Sequence, residues 1–276
     1  MKFTKIISLL ALSVALFLFS QGCSPPPAEN NNVNLTDAEQ NAVLRCAQAA
    51  KLLATAGCIT QTGSDQMSLP TARTAGTCPQ VTLELGTISG SMSALLDFGV
   101  AGCTPVFMPG VTVAGSVIGT LMPTSQSLSL GFSGFTMNSN SLSGTVNIAF
   151  QLTGHTLAME GNWYLDTWVS EASTHTEGEG TIAYNGDTYA TTISTFTGSV
   201  TRETDTWQVT MSNIQVSYAT YHSFIPYGGE MTITGATIRP FTIRFNTSSP
   251  TTGQVEVSYI GTTWATVNLW TLFASL

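Results

Sequence analysis

Basic residues are the scarcest feature of this 276-residue chain, which has eight lysines and arginines against sixteen aspartates and glutamates. None of the eight lies between Arg73 and Arg202. A surface that follows nucleic acid needs clustered lysine and arginine to displace counterions, and electrostatic docking on anionic lipid needs the same. The sequence therefore argues against both classes of partner.

Motifs of enzyme chemistry are also missing. The chain has no nucleophile-elbow pattern, no glycine-rich phosphate loop and no CxxC pair, and its three histidines are His155, His175 and His222. A hydrolase triad needs an activated serine beside a histidine and an acid, and no spacing here predicts one. We therefore expect a protein that is not an enzyme, with no catalytic residue, no metal and no cofactor.

The sequence has one long hydrophobic run, and it lies near the N-terminus. Lys2 and Lys5 precede an apolar stretch over residues 6–19, and small and polar residues follow at once. This three-part layout is typical of a secretory signal peptide, and the run is too short for a membrane span of about 20 residues. Residues 1–22 are therefore predicted to be a signal peptide, and no later stretch is expected to cross a membrane as a helix.

The residues at the predicted cleavage point are Gly22 and Cys23. A cysteine directly after the apolar run resembles the bacterial lipobox, in which the sulfur receives a diacylglyceryl group and the new amine is acylated. The resemblance implies a palmitate-type anchor at Cys23, a membrane partner through that lipid and, because Ser24 rather than Asp follows, the outer membrane. The alternative is ordinary cleavage beside an incidental cysteine.

Beyond the signal peptide, the mature chain has six basic residues against sixteen acidic ones, a formal charge of −10. Residues 23–35 contain three consecutive prolines and three consecutive asparagines and are predicted to be a linker. Thr36 and Glu39 have capping-box spacing, which predicts a helix over residues 36–57 that ends at Gly57. A polar loop is expected before residue 78.

Residues 78–276 are predicted to form a single β domain. Apolar residues alternate with threonine and serine, and glycine, asparagine or proline interrupts them at intervals of roughly ten to fifteen residues. Asn185-Gly186 is a strong hairpin signal. The expected fold is mostly β, a long antiparallel meander that forms a sandwich, half-barrel or barrel, with one short N-terminal helix.

An even number of cysteines after Cys23 suggests disulfides in an exported chain; they are Cys46, Cys58, Cys78 and Cys103. A hairpin centred on Gly90 and Ser91 places Leu83 opposite Phe98 and Leu85 opposite Leu96. The same register places Cys78 opposite Cys103, within reach of a disulfide.

The other two cysteines, Cys46 and Cys58, are separated by the predicted helix. A continuous helix holds them far apart, so they pair only if that helix ends early. Their pairing is left open.

Three short elements around this hairpin carry a second resemblance: residues 78–82 (CPQVT), residues 96–103 (LDFGVAGC) and residues 115–117 (GSV). Together they are similar to uncharacterised bacterial β-rich envelope lipoproteins with a CP-x-V-T element followed by an LDFG-x-GC element. The resemblance implies compartment and fold rather than activity. Asp97 within it is interpreted as a strand-end or turn carboxylate.

Five residues of one acidic segment follow each other at intervals of two, the spacing of side chains on one face of a strand: Glu171, Ser173, His175, Glu177 and Glu179. On an extended strand these side chains all point the same way, which allows a cation site. Because neighbours on one strand rarely converge on a metal, a solvated outer face is the favoured interpretation.

Aromatic residues concentrate in the middle of the β region: Trp163, Tyr164, Trp168, Trp207, Tyr218, Tyr221, Phe224 and Tyr227. They allow an aromatic-lined surface for an acyl chain or glycan, but core packing is favoured. The sequence thus predicts a lipid-anchored envelope protein with a non-catalytic binding or structural role. The alternatives are a carrier of an apolar ligand in a curved sheet and, below it, an envelope hydrolase.

Overall fold

The structure is a computed structural model that describes residues 34–67, 78–85, 91–105, 108, 110–122, 126–138, 140–150, 159–169, 174–185, 188, 190–260 and 263–273, with the backbone alone for 60–67, 83–85, 140, 148, 150 and 159–169. The predictions for residues 1–33, among them the signal peptide and the lipidation of Cys23, lie outside the described residues. The helices are α1 (Asp37–Met67), α2 (Tyr218–Tyr221), α3 (Ser249–Thr252) and α4 (Trp270–Phe273).

The strands are β1 (Gln80–Leu85), β2 (Met92–Cys103), β3 (Val113–Met122), β4 (Ser127–Met137), β5 (Asn140–Phe150), β6 (Met159–Val169), β7 (Thr174–Asn185), β8 (Ala190–Arg202), β9 (Asp205–Ser217), β10 (Gly228–Gly235), β11 (Ile238–Phe245), β12 (Gln254–Tyr259) and β13 (Ala265–Asn268).

The sheet is a meander in which every described strand pairs antiparallel with its neighbour in sequence, from β1 to β13. This confirms the predicted mostly-β antiparallel fold. The predicted hairpin at Asn185 is also present, because Asn185 pairs with Ala190 across the turn between β7 and β8. Inward-facing residues from early and late strands join one hydrophobic core, so the fold is sandwich-like, and among the described strands no pairing of β1 with β13 closes it into a barrel.

Helix α1 begins where the sequence predicts. The backbone N–H of Thr36 donates to the Glu39 carboxylate at 2.8 Å, and the Glu39 N–H donates to the Thr36 hydroxyl at 3.3 Å. These two reciprocal bonds are the capping box, and they satisfy backbone donors that have no partner within the helix.

The predicted end of this helix at Gly57 is wrong. The helix continues for ten further residues to Met67, and Gly57 lies in its interior. A Cβ at Gly57 would lie 3.3 Å from both Tyr184 Cδ2 and Thr191 Oγ1, on β7 and β8. Glycine is therefore present because the helix approaches the sheet closely there, and not because the chain turns.

Helix α1 packs against the inner face of the sheet and contacts β7, β8, β9, β10 and β11, as well as β1 and α4. All of residues 52–59 are buried, and six buried alanines let the backbones approach: Ala42, Ala47, Ala49, Ala50, Ala54 and Ala56. Contrary to expectation, Asp37–Ile59 is long and apolar enough to cross a membrane by composition. In the structure, 83% of its apolar window is buried inside the protein, as expected for a core helix.

Candidate functional site

The most organised polar group in the described structure is the Glu39 cluster, which comprises Thr36, Glu39, Arg239 and Tyr259. Glu39 is only 1% exposed. Its Oε1 accepts from Arg239 Nε at 3.0 Å, and its Oε2 accepts from Arg239 Nη2 at 3.2 Å and from the Tyr259 hydroxyl at 2.9 Å. The Thr36 N–H also donates to Oε2. The first turn of α1 is thus bound to β11 and to the end of β12.

Arginine and tyrosine in this cluster also contact each other. Arg239 Nη2 donates to the Tyr259 hydroxyl at 2.7 Å, and the guanidinium carbon lies 3.9 Å from the centre of the Tyr259 ring. A bidentate carboxylate pair and a cation–π contact therefore hold the same guanidinium. Its side chain remains 60% exposed, so water still reaches one side of the cluster.

The pKa of Glu39 is lowered from 4.5 to about 2. Burial alone would raise it, but the hydrogen bonds from Arg239, the Thr36 N–H and Tyr259 together outweigh that effect. Burial, and then the hydrogen bond to the Glu39 carboxylate, raise the pKa of Tyr259 to about 12. Near neutral pH the carboxyl is therefore ionised and the phenol protonated, which makes this a structural carboxylate rather than a general base.

A second contact fixes the same end of α1. Arg202, at the end of β8, donates from Nη1 to Asn41 Oδ1 at 3.1 Å. Asn41 lies within a turn of Glu39, so strands β8, β11 and β12 all reach the start of the helix.

The other arginine of β11 lies on the outer face. Arg244 Nε donates to Glu230 at 2.8 Å, and its Nη1 donates to Glu256 at 3.3 Å, across the two neighbouring strands. The guanidinium carbon lies 3.9 Å from the centre of the Trp264 ring. Because all three charged side chains are about two-fifths exposed, this group contributes little to stability.

The predicted disulfide between Cys78 and Cys103 is present, with Cα atoms 5.9 Å apart. The register that suggested it is wrong, because Leu83 pairs with Ala94 and Leu85 with Met92. The observed register thus differs by four residues from the predicted pairing, since the partner of Leu83 is Ala94 rather than Phe98.

Bulges explain how Cys103 still reaches Cys78. The pairing of β2 with β3 shifts on either side of Gly99, and both Gly99 and Gly102 have positive φ, at 74° and 76°. A residue with this left-handed backbone conformation shortens the strand locally, and glycine adopts it most readily. Asp97 lies within β2 rather than at a strand end, and its carboxylate accepts from the Gly99 N–H at 2.8 Å, so it caps the bulge as a turn carboxylate would.

The other two cysteines are not joined. Cys46 and Cys58 are both buried thiols on α1, which continues through them and holds them about 18 Å apart. Burial raises the pKa of the Cys46 thiol well above its usual range and that of Cys58 to about 11. Both are therefore poor nucleophiles.

The acidic segment lies partly on β7. His175 is half-buried and Glu177 and Glu179 are exposed, on the opposite face from the buried Thr174 and Thr176, while Glu171 and Ser173 lie outside the described residues. Within the described part of the chain, no group of three His, Cys, Asp or Glu residues is placed to hold a metal. The geometry agrees with a solvated outer face.

The aromatic residues divide between core and surface. Trp207 and Phe224 are buried in the hydrophobic core, while the side chains of Trp163, Tyr164 and Trp168 lie outside the described groups. Around α2, Tyr218 packs against Phe224 with ring centres 4.6 Å apart, and Tyr221 packs against Tyr227 at 5.2 Å.

Three buried polar atoms near this core have no hydrogen-bond partner among the described residues: Gln48 Oε1, Thr176 Oγ1 and Trp207 Nε1. Such atoms are uncommon in folded proteins and lower stability. They mark the inner faces of α1, β7 and β9.

Sequence reasoning assigned Glu39 to the capping box but missed its partners. Arg239 and Tyr259 follow it by 200 and 220 residues, so no local spacing relates them. One signal was available: Arg239 and Arg244 are two of only six basic residues after residue 22, and both lie on one strand.

Comparison with known proteins places this chain in no family. No family model matches it, and no curated protein and no solved structure matches it either. Its function must therefore be inferred from its own residues.

Proposed function

We propose that this chain is a lipid-anchored bacterial envelope protein, held in the outer membrane by acyl chains on Cys23, with a non-catalytic binding or structural role. The observation that carries the proposal is the position of Cys23 directly after a charged and then apolar signal sequence. Several buried acyl chains hold a protein in a bilayer essentially permanently, since each CH₂ contributes about 0.8 kcal/mol.

The disulfide between Cys78 and Cys103 supports export. Disulfides persist in oxidising compartments such as the bacterial periplasm and are rare in the cytosol. The fold therefore carries a covalent link that suits the compartment implied by the N-terminus.

The position of α1 supports a binding or structural role over that of a carrier. A carrier in a curved sheet needs a free inner face, whereas α1 packs against the inner face of β7 to β11. The Glu39 cluster likewise gives little support to an envelope hydrolase, because its carboxylate accepts four hydrogen bonds and is fully occupied.

To test this, the full chain is expressed in a bacterium with an outer membrane and purified. The protein is then digested with a protease, and the mass of its N-terminal peptide is measured by mass spectrometry. A peptide that begins at Cys23 and carries a diacylglyceryl group and an amide-linked acyl chain is expected. Cys23→Ala should abolish the modification and release the protein from the membrane fraction. Cys46→Ala, a matched change at a buried thiol, should leave the modification intact.

Sorting within the envelope is tested by Ser24→Asp, which we expect to move the protein from the outer-membrane to the inner-membrane fraction. An unmodified Cys23 at the mature N-terminus would contradict the anchored function. Unchanged membrane association of Cys23→Ala would contradict it as well.

A further inference from the structure

We draw no further inference here: the strongest candidate, the uncharged row of hydroxyl side chains that crosses the outer face of β8 to β12 from Thr197 through Thr232 to Ser258, is an unpartnered sheet face, and nothing in the structure shows what covers it.

Discussion

The carboxylate of Glu39 accepts two hydrogen bonds from Arg239, which lies 200 positions further along the chain. Nε of Arg239 donates to Oε1 at 3.0 Å, and Nη2 donates to Oε2 at 3.2 Å. The same carboxylate closes the capping box of α1 with Thr36. One side chain thus satisfies a local requirement of the helix and a long-range requirement of the sheet. The charge also lies at the helix N-terminus, where the macrodipole favours it.

Replacement of this carboxylate should destabilise the fold strongly. Glu39→Gln keeps the shape of the side chain but leaves Arg239 and Tyr259 without a charged partner, and we expect the free energy of unfolding to fall by about 2–4 kcal/mol. Urea denaturation followed by circular dichroism measures the change. Glu203→Gln, at a side chain 75% exposed, is the control and should shift stability by less than about 0.5 kcal/mol. Equal effects of the two variants would show that the Glu39 cluster is not structural.

Acid should weaken the fold through the same group. The pKa of Glu39 is about 2 in the folded protein against an ordinary value of 4.5, so its contribution is complete above that ordinary value and is lost as the pH falls from about 5 toward 2. The stability difference between wild type and Glu39→Gln should therefore be largest at pH 7 and clearly smaller at pH 3. A constant difference at both pH values would contradict the lowered pKa.

The hydroxyl of Thr176 is buried without a hydrogen-bond partner among the described residues. Burial of an unpaired hydroxyl costs about 1–3 kcal/mol, so Thr176→Val should leave stability unchanged or raise it by about 1 kcal/mol. Thr232→Val is the matched comparison, because the Thr232 hydroxyl lies 2.9 Å from that of Thr242 and its removal should cost about 1 kcal/mol. The melting temperatures of both variants, measured by thermal unfolding, test this prediction. A Thr176→Val protein that is less stable than the wild type would reveal a hydrogen-bond partner for that hydroxyl.

The disulfide closes a loop with a sequence separation of 25 residues, for which the chain-entropy relation gives about 3.5 kcal/mol. Cys78→Ala combined with Cys103→Ala should lose about this much stability in urea. A reducing agent should lower the free energy of unfolding of the wild type to that of the double variant, and it should leave the stability of the double variant unchanged. No effect of reduction on the wild type would mean that this link does not stabilise the domain.

Cys46 and Cys58 should resist alkylation while the protein is folded. Burial raises both thiol pKa values, to about 11 for Cys58, so the thiolate fraction and the access of reagent are both low. Iodoacetamide at pH 8 should label neither residue in the native protein and both in urea, as read by peptide mass. Rapid native labelling of either cysteine would show that α1 leaves the sheet readily.

Local features of the fold could be predicted from the sequence. The capping box at Thr36 and Glu39 and the alternation of apolar residues with threonine each depend on neighbours a few positions apart, and both predictions are confirmed. Gly57 shows the limit of this reasoning. The residue is a common helix terminator, but its role here is set by Tyr184 and Thr191 on the sheet, which local sequence does not report.

Non-local features could not be predicted in the same way. The pairing of Cys78 with Cys103 was expected from an unbulged hairpin, whereas the observed link depends on left-handed glycines at Gly99 and Gly102. The Glu39 cluster joins three distant segments, and its arginine and tyrosine have no sequence signature of their own.

The order of elements along the chain has a consequence for assembly. Helix α1 precedes every described strand, yet its main partners are β7, β8 and β9, and the partners of Glu39 lie later still, on β11 and at the end of β12. In a chain synthesised from its N-terminus, each hairpin of the meander can form as soon as its second strand emerges. The apolar helix, by contrast, must remain uncovered until β7 to β9 have emerged, more than one hundred residues after its own last residue, and its buried face is exposed to association with other chains during that time.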